Sequence, residues 1–211
     1  MPNATVLEAE RELSRRDAVI RRLVAAAGPC TLGDRRSRDH FGALVQAIVF
    51  QQLAGKAANA IHGRFVGLFD GRRVVPEAVL AAGHARLRTV GLSEAKTRSI
   101  LDLASKVSDG TVPLRRISRY GDDEIVERLS SVRGIGRWTA EMFLMFQLGR
   151  LDVWPVDDYG VRKGYANAYE LLELPKPKEL LGLGKRFRPY RSVAAWYCWR
   201  AVDTVLPTAA S

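Results

Sequence analysis

Two short stretches of the chain hold residue types whose spacing could do chemistry. In Leu129-Ser130-Ser131-Val132-Arg133-Gly134-Ile135-Gly136-Arg137-Trp138-Thr139-Ala140, two helical patterns meet through Gly-x-Gly. Glycine accepts left-handed backbone angles and lets an anion approach with no side chain in the way. N–H groups at the start of the second helix would then face outward, where the helix dipole favours a phosphate. A plain helical turn with glycine as C-cap accounts for Gly-x-Gly alone more simply. The second stretch is Trp154-Pro155-Val156-Asp157-Asp158-Tyr159-Gly160. Proline imposes an extended approach, and paired aspartates then stand at a helix start. One aspartate suffices as a cap. The other, beside Trp154 and Tyr159, is available as the charged group of an active site.

The elements that must position these residues read as helices. Val6, Leu13, Ile20, Leu23 and Val24 form one stripe of a first helix ended by Gly28-Pro29. The pattern then predicts helices over His40 to Leu53, Gly55 to Phe69, a short one opened by Pro76, and one capped by Ser93 that ends near Gly110. Further helices are expected from Gly121, from Arg137 to Leu148, from the two aspartates to about Leu172, and from Pro189 through Trp196 and Trp199. Alternating strand patterns are nearly absent. The fold class is therefore all-α, with about ten helices.

Composition sets the bounds. The 211 residues suit one domain or two small lobes, and 47% hydrophobic with 27% charged residues excludes a wholly disordered chain. No apolar run approaches the roughly 18 residues of a membrane span, so no membrane partner is expected. Cys30 and Cys198 are too few for an iron–sulfur or zinc site, and His40, His62 and His84 lack ligand spacing. No cofactor and no transition metal are expected. The charged N-terminus is unlike an export signal, which points to a reducing cytoplasm, on the nucleoid if the source is bacterial. With 33 Lys+Arg against 23 Asp+Glu, the net charge of +10 suits a polyanionic partner or an arginine-rich surface.

Taken together, five segments in order resemble the helix–hairpin–helix DNA glycosylase superfamily, and within it the compact 3-methyladenine DNA glycosylase II type. They are Phe41 to Leu53 with its Gln-rich turn, Val90-Gly91-Leu92-Ser93-Glu94-Ala95-Lys96, Gly134 to Ala140, Pro155-Val156-Asp157-Asp158-Tyr159, and Arg188-Pro189-Tyr190-Arg191-Ser192 with Trp199. The forty residues before Phe41 are too few for the extra sheet domain of the long bacterial form. The resemblance implies two helical lobes with a cleft between them. About 41–150 would form the middle lobe carrying the hairpin at 129–140, and 1–40 with 151–211 the lobe carrying the catalytic aspartate.

The resemblance also implies roles. Asp158 is the catalytic carboxylate, which stabilises positive charge developing on deoxyribose and could orient the attacking water. Asp157 is a structural cap. Trp138 stands where lyase relatives place the lysine that Schiff-base chemistry needs, which implies a monofunctional glycosylase that leaves an abasic site. Trp138, Trp199, Tyr159 and Met142 form the base pocket, whose π faces suit a cationic methylated purine, while Trp196 is a core residue. Gln52 fills the hole left by the extruded base, or else its turn is simply a helix C-cap. Gly134, Ile135, Gly136, Arg137, Thr139, Lys96 and Arg188 contact the DNA backbone. Hairpin carbonyls near Val132 and Ile135 could hold a monovalent cation. The partner is double-stranded DNA with damaged bases, bound by a monomer. Two alternatives stay open: a non-catalytic helix–hairpin–helix DNA-binding protein, which an aspartate on the DNA-facing surface disfavours, and a glycosylase for deaminated bases.

Overall fold

In the computed structural model, residues 4–33, 39–70 and 73–203 are described, and their regular structure is entirely helical. The helices are α1 (Ala4–Arg16), α2 (Ala18–Ala27), α3 (His40–Phe50), α4 (Gly55–Gly67), α5 (Pro76–Arg88) and α6 (Glu94–Ser108). They continue as α7 (Asp122–Ser130), α8 (Arg137–Met142), α9 (Tyr159–Ala168), α10 (Pro177–Leu183) and α11 (Arg191–Asp203). A 3₁₀ turn spans Leu114–Arg119, another spans Gly184–Phe187, and a π-helical turn, Phe143–Leu148, extends α8. The all-α expectation holds.

The departures from the predicted elements have local causes. The stripe from Val6 to Val24 is two helices, because Asp17 leaves the helical region and its Oδ1 accepts Val19 N–H (2.9 Å) and Ile20 N–H (3.1 Å). An aspartate that can cap in this way competes with helix continuation. The helix opened by Pro76 is longer than expected and kinked at Gly83, whose φ is +70°. Helix α9 stops at Ala168 instead of near Leu172, as Leu171 N–H returns to the Ala166 carbonyl (2.9 Å) and closes its end. Between Pro175 and Pro189 the chain forms α10 and a 3₁₀ turn, which apolar periodicity had not predicted.

The chain divides into two compact units. One comprises Ser37–Phe143 and contains α3 to α8. Its core is built on Leu44, Ile48, Phe65, Val79, Ile100, Leu103, Ile125 and Leu129, all essentially inaccessible. Here α6 packs against both α3 and α5, and α7 against α8. The other unit comprises Met1–Arg36 and Leu144–Ser211. Its centre is α11, which packs against α9, α2 and α1. The α9–α11 approach is so close that a Cβ on Gly164 would fall 1.7 Å from the Cys198 carbonyl oxygen. Among the described residues no helix is long and apolar enough to cross a membrane.

Candidate functional site

In the unit of α3 to α8, the Gly-x-Gly segment is a tight connection between α7 and α8. Val132 N–H closes on the Leu129 carbonyl and Ile135 N–H on the Val132 carbonyl, both at 3.0 Å. Ile135 is buried and anchors the tip. The two glycines are there for different reasons. Gly134 has φ +75°, and a Cβ there would lie 2.5 Å from Ser99 Oγ. Gly136 has extended angles (φ −93°, ψ 175°), and a Cβ on it would meet nothing within 4 Å. As the N-cap of α8 it supplies no side-chain hydrogen bond. Helix α6 braces the connection: Asp102 Oδ2 accepts Arg133 N–H (2.7 Å) and pairs with Lys106 Nζ (2.9 Å), which also donates to the Ser131 carbonyl.

In the other unit, the Asp157–Asp158 pair is resolved by geometry. Asp158 is the N-cap of α9, and its Oδ1 accepts Val161 N–H at 2.7 Å. The same oxygen accepts Trp199 Nε1–H at 2.8 Å, from α11. Asp158 is buried, whereas Asp157 is exposed. The expectation that Asp157 caps the helix is therefore corrected: φ/ψ at position 158, not residue type, selects the cap. Gly160 makes the arrangement possible, since a Cβ there would lie 2.8 Å from Trp199 Cδ1 and 3.1 Å from Asp158 Oδ1. Upstream, Trp154 is buried, donates from Nε1 to the Leu180 carbonyl (2.8 Å), and fixes the extended segment that leads to the aspartates. Ser192 fastens the preceding loop by donating to the Arg150 carbonyl (2.7 Å) and accepting Val153 N–H (2.9 Å).

Residues 45–189 match the HhH-GPD superfamily of base excision DNA repair proteins. The chain belongs to that superfamily. It is 34% identical to DNA-3-methyladenine glycosylase 1 of Schizosaccharomyces pombe, over 93% of this chain and 87% of the relative. The solved structure of the S. pombe 3-methyladenine DNA glycosylase in complex with abasic DNA superposes with a TM-score of 0.81 at 34% identity, covering 96% of this chain and 100% of that one. A DNA-3-methyladenine glycosidase from Bacillus halodurans superposes equally well, with a TM-score of 0.81 at 36% identity over 90% of this chain and 86% of that one.

The remaining residues expected to serve a helix–hairpin–helix glycosylase divide between the two units. With α3 to α8 lie Gln52, which is exposed with φ +55°, and Trp138, 46% exposed. Met142 there is half-buried, and Arg137 is exposed and steered by Glu141, whose Oε1 accepts from Arg137 Nε at 3.0 Å. Thr139, in the first turn of α8, is buried. Lys96 is corrected. Its ammonium is directed at two backbone carbonyls, Val49 (2.8 Å) and Gln51 (2.7 Å), and burial pulls its pKa below the usual lysine value. With Asp158 lie Tyr159, which is 67% exposed, and Arg188, whose Nε is 3.9 Å from Asp152.

Trp199 gains a role that spacing did not reveal, because its indole N–H holds the Asp158 carboxylate. Its ring stacks on Phe146 with centroids 5.7 Å apart and planes 25° apart. Phe146 was missed from the sequence. It lies in an unbroken apolar run, Phe143-Leu144-Met145-Phe146, within the π-helical turn, and is 43% exposed. Such turns concentrate at functional sites, and that was the one signal available. Among the described residues, no group of three or more His, Cys, Asp or Glu side chains could hold a metal ion.

Proposed function

We propose that the protein is a monofunctional DNA glycosylase that excises alkylated bases such as 3-methyladenine from duplex DNA, acting as a monomer without a cofactor in base excision repair. The observation that carries this reading is the Asp158 carboxylate, buried and held through one oxygen by Val161 N–H and Trp199 Nε1–H. Hydrolysis breaks the bond from C1′ to the base nitrogen and forms one from C1′ to a water oxygen. Positive charge develops on the sugar, and a carboxylate already fixed in place stabilises it without reorganising. The water's proton leaves to that carboxylate or to solvent. A methylated purine is cationic before it departs and neutral afterwards, which suits an aromatic neighbourhood such as Phe146 and Trp199.

The names and identities of the S. pombe and B. halodurans relatives support the alkylated-base class. Trp138 at the hairpin position supports the absence of lyase chemistry, since an indole cannot form an imine. Gly136, Arg137 and the hairpin N–H groups would grip DNA phosphates. A monovalent cation on the Val132 and Ile135 carbonyls belongs to the same reading, because a carbonyl that accepts one N–H keeps a second lone pair; it would add positive charge facing a phosphate. The direct test incubates the protein with dimethyl-sulfate-treated duplex DNA and identifies released bases by mass spectrometry. Release of 3-methyladenine or 7-methylguanine is expected. Release of none, with hypoxanthine or uracil freed from a deaminated duplex instead, would overturn the substrate class.

A further inference from the structure

We propose that Lys96 is a positioning residue which locks the turn presenting Gln52 and, with Gln51, couples that turn to the hairpin; the inference rests on the glycosylase reading above. Helix α3 ends at Phe50, and its last carbonyls have no partner within the helix. Lys96 Nζ donates to two carbonyls at that end, Val49 (2.8 Å) and Gln51 (2.7 Å), where a cation is also favoured by the helix dipole. The next residue, Gln52, has φ +55°. A residue with a side chain holds that conformation only where its surroundings impose it. The ammonium supplies the constraint from one side of the turn. On the other, the Gln51 carboxamide donates to the Gly134 carbonyl at 3.0 Å.

Both structures rest on one face of α6. Lys96 meets the α3 end, Ser99 fills the space beneath Gly134, and Asp102 accepts Arg133 N–H at 2.7 Å. Positions three residues apart share a helix face, so α6 sets the spacing between the Gln52 turn and the hairpin as one rigid unit. A backbone grip and a base-replacing side chain must act in register on one duplex. A lysine already donating to two carbonyls is a poor choice for a phosphate contact and a good one for fixing that register.

The test uses the full chain and a cycle of Lys96→Met, Gln52→Ala and the double variant. Three quantities are read: affinity for a duplex holding a tetrahydrofuran abasic analogue relative to undamaged duplex, the salt slope of undamaged-duplex binding, and single-turnover release of methylated bases. Lys96→Met should reduce both the abasic preference and the release rate about tenfold with the salt slope unchanged, and the double variant should be no worse than the more damaged single. Lys96→Arg, which can still donate to both carbonyls, should recover most of the loss. A slope reduced by about 0.9 with equal loss on both duplexes would make Lys96 a phosphate contact and overturn the proposal. Additive losses in the cycle would overturn it as well. If Lys96→Met does not fold, Gln51→Leu replaces it in the same cycle: a reduced abasic preference that does not add to Gln52→Ala is expected, and additive losses would overturn the coupling. If the wild-type chain releases no methylated base, the substrate reading fails, while the abasic preference still decides the role of Lys96.

Discussion

The two helix starts that matter most in this protein, α8 at the hairpin and α9 at the aspartates, solve the same problem in opposite ways. Every helix begins with N–H groups that lack intrahelical partners. At α9 the chain satisfies them itself: the Asp158 carboxylate bends back to Val161 N–H and is clamped from the far side by Trp199. At α8 the cap is Gly136, which offers no side chain and has open space where a Cβ would be. Their supports differ accordingly. Asp158 is framed by the half-buried Trp199 indole, with Gly160 leaving just enough room for that ring. The hairpin is braced by polar groups of α6, through Asp102 and Lys106. A charge that must be fixed in advance is held inside by the fold; a charge that arrives with a ligand is left room outside.

The sharpest way to break this contrast is at the carboxylate. Asp158→Asn keeps the cap but removes the charge, and base release from methylated duplex should fall by at least about 100-fold while duplex binding persists. Asp157→Asn should change little. Single-turnover assays on the pair decide it, and the reverse pattern would exchange the two roles. Trp199→Phe comes next, since it keeps the stack on Phe146 but deletes the N–H donated to Asp158. A hydrogen bond to a charged, buried group supports a loss of about tenfold in release rate, with thermal unfolding near that of the wild type. An unchanged rate would show that the Trp199 N–H is not needed to orient the carboxylate.

The hairpin predictions are smaller and separate fold from grip. Gly134→Ala forces an L-residue to φ +75° against Ser99 and should cost about 1–2 kcal/mol in a denaturation curve. Gly136→Ala should stay within about 1 kcal/mol of the wild type, yet weaken binding to all duplex sequences alike, because the contact is to phosphates. Equal stability losses at the two glycines would erase the distinction between them. The smallest expected effect is none at all: borohydride treatment during turnover should trap no covalent enzyme–DNA adduct. A strong adduct mapped to a lysine would reopen lyase chemistry.

Local chemistry made much of this legible from the residues alone. Helical periodicity, the Ser93 cap, the Gly-x-Gly break and the paired aspartates are properties of neighbours within one or two turns, and each marked a helix or a helix end, though several bounds shifted. Where periodicity erred it was also for local reasons, as when Asp17 capped a new helix inside an apolar stripe. The roles of Lys96, Trp199 and Phe146 were not legible in the same way. Lys96 reaches carbonyls 45 and 47 residues away, and the Trp199 indole meets an aspartate 41 residues upstream. Phe146 lies in a π-helical turn and is exposed although its apolar neighbours Phe143, Leu144 and Met145 are buried, which no spacing along the run announces. Sequence by itself determined most of the helices, the hairpin and the presence of a candidate carboxylate, because backbone preference and capping act over a few residues. Which aspartate is held, by what, and which lysine steadies which turn were decided by tertiary packing, because a hydrogen bond depends on where two helices cross and no spacing along the chain records that.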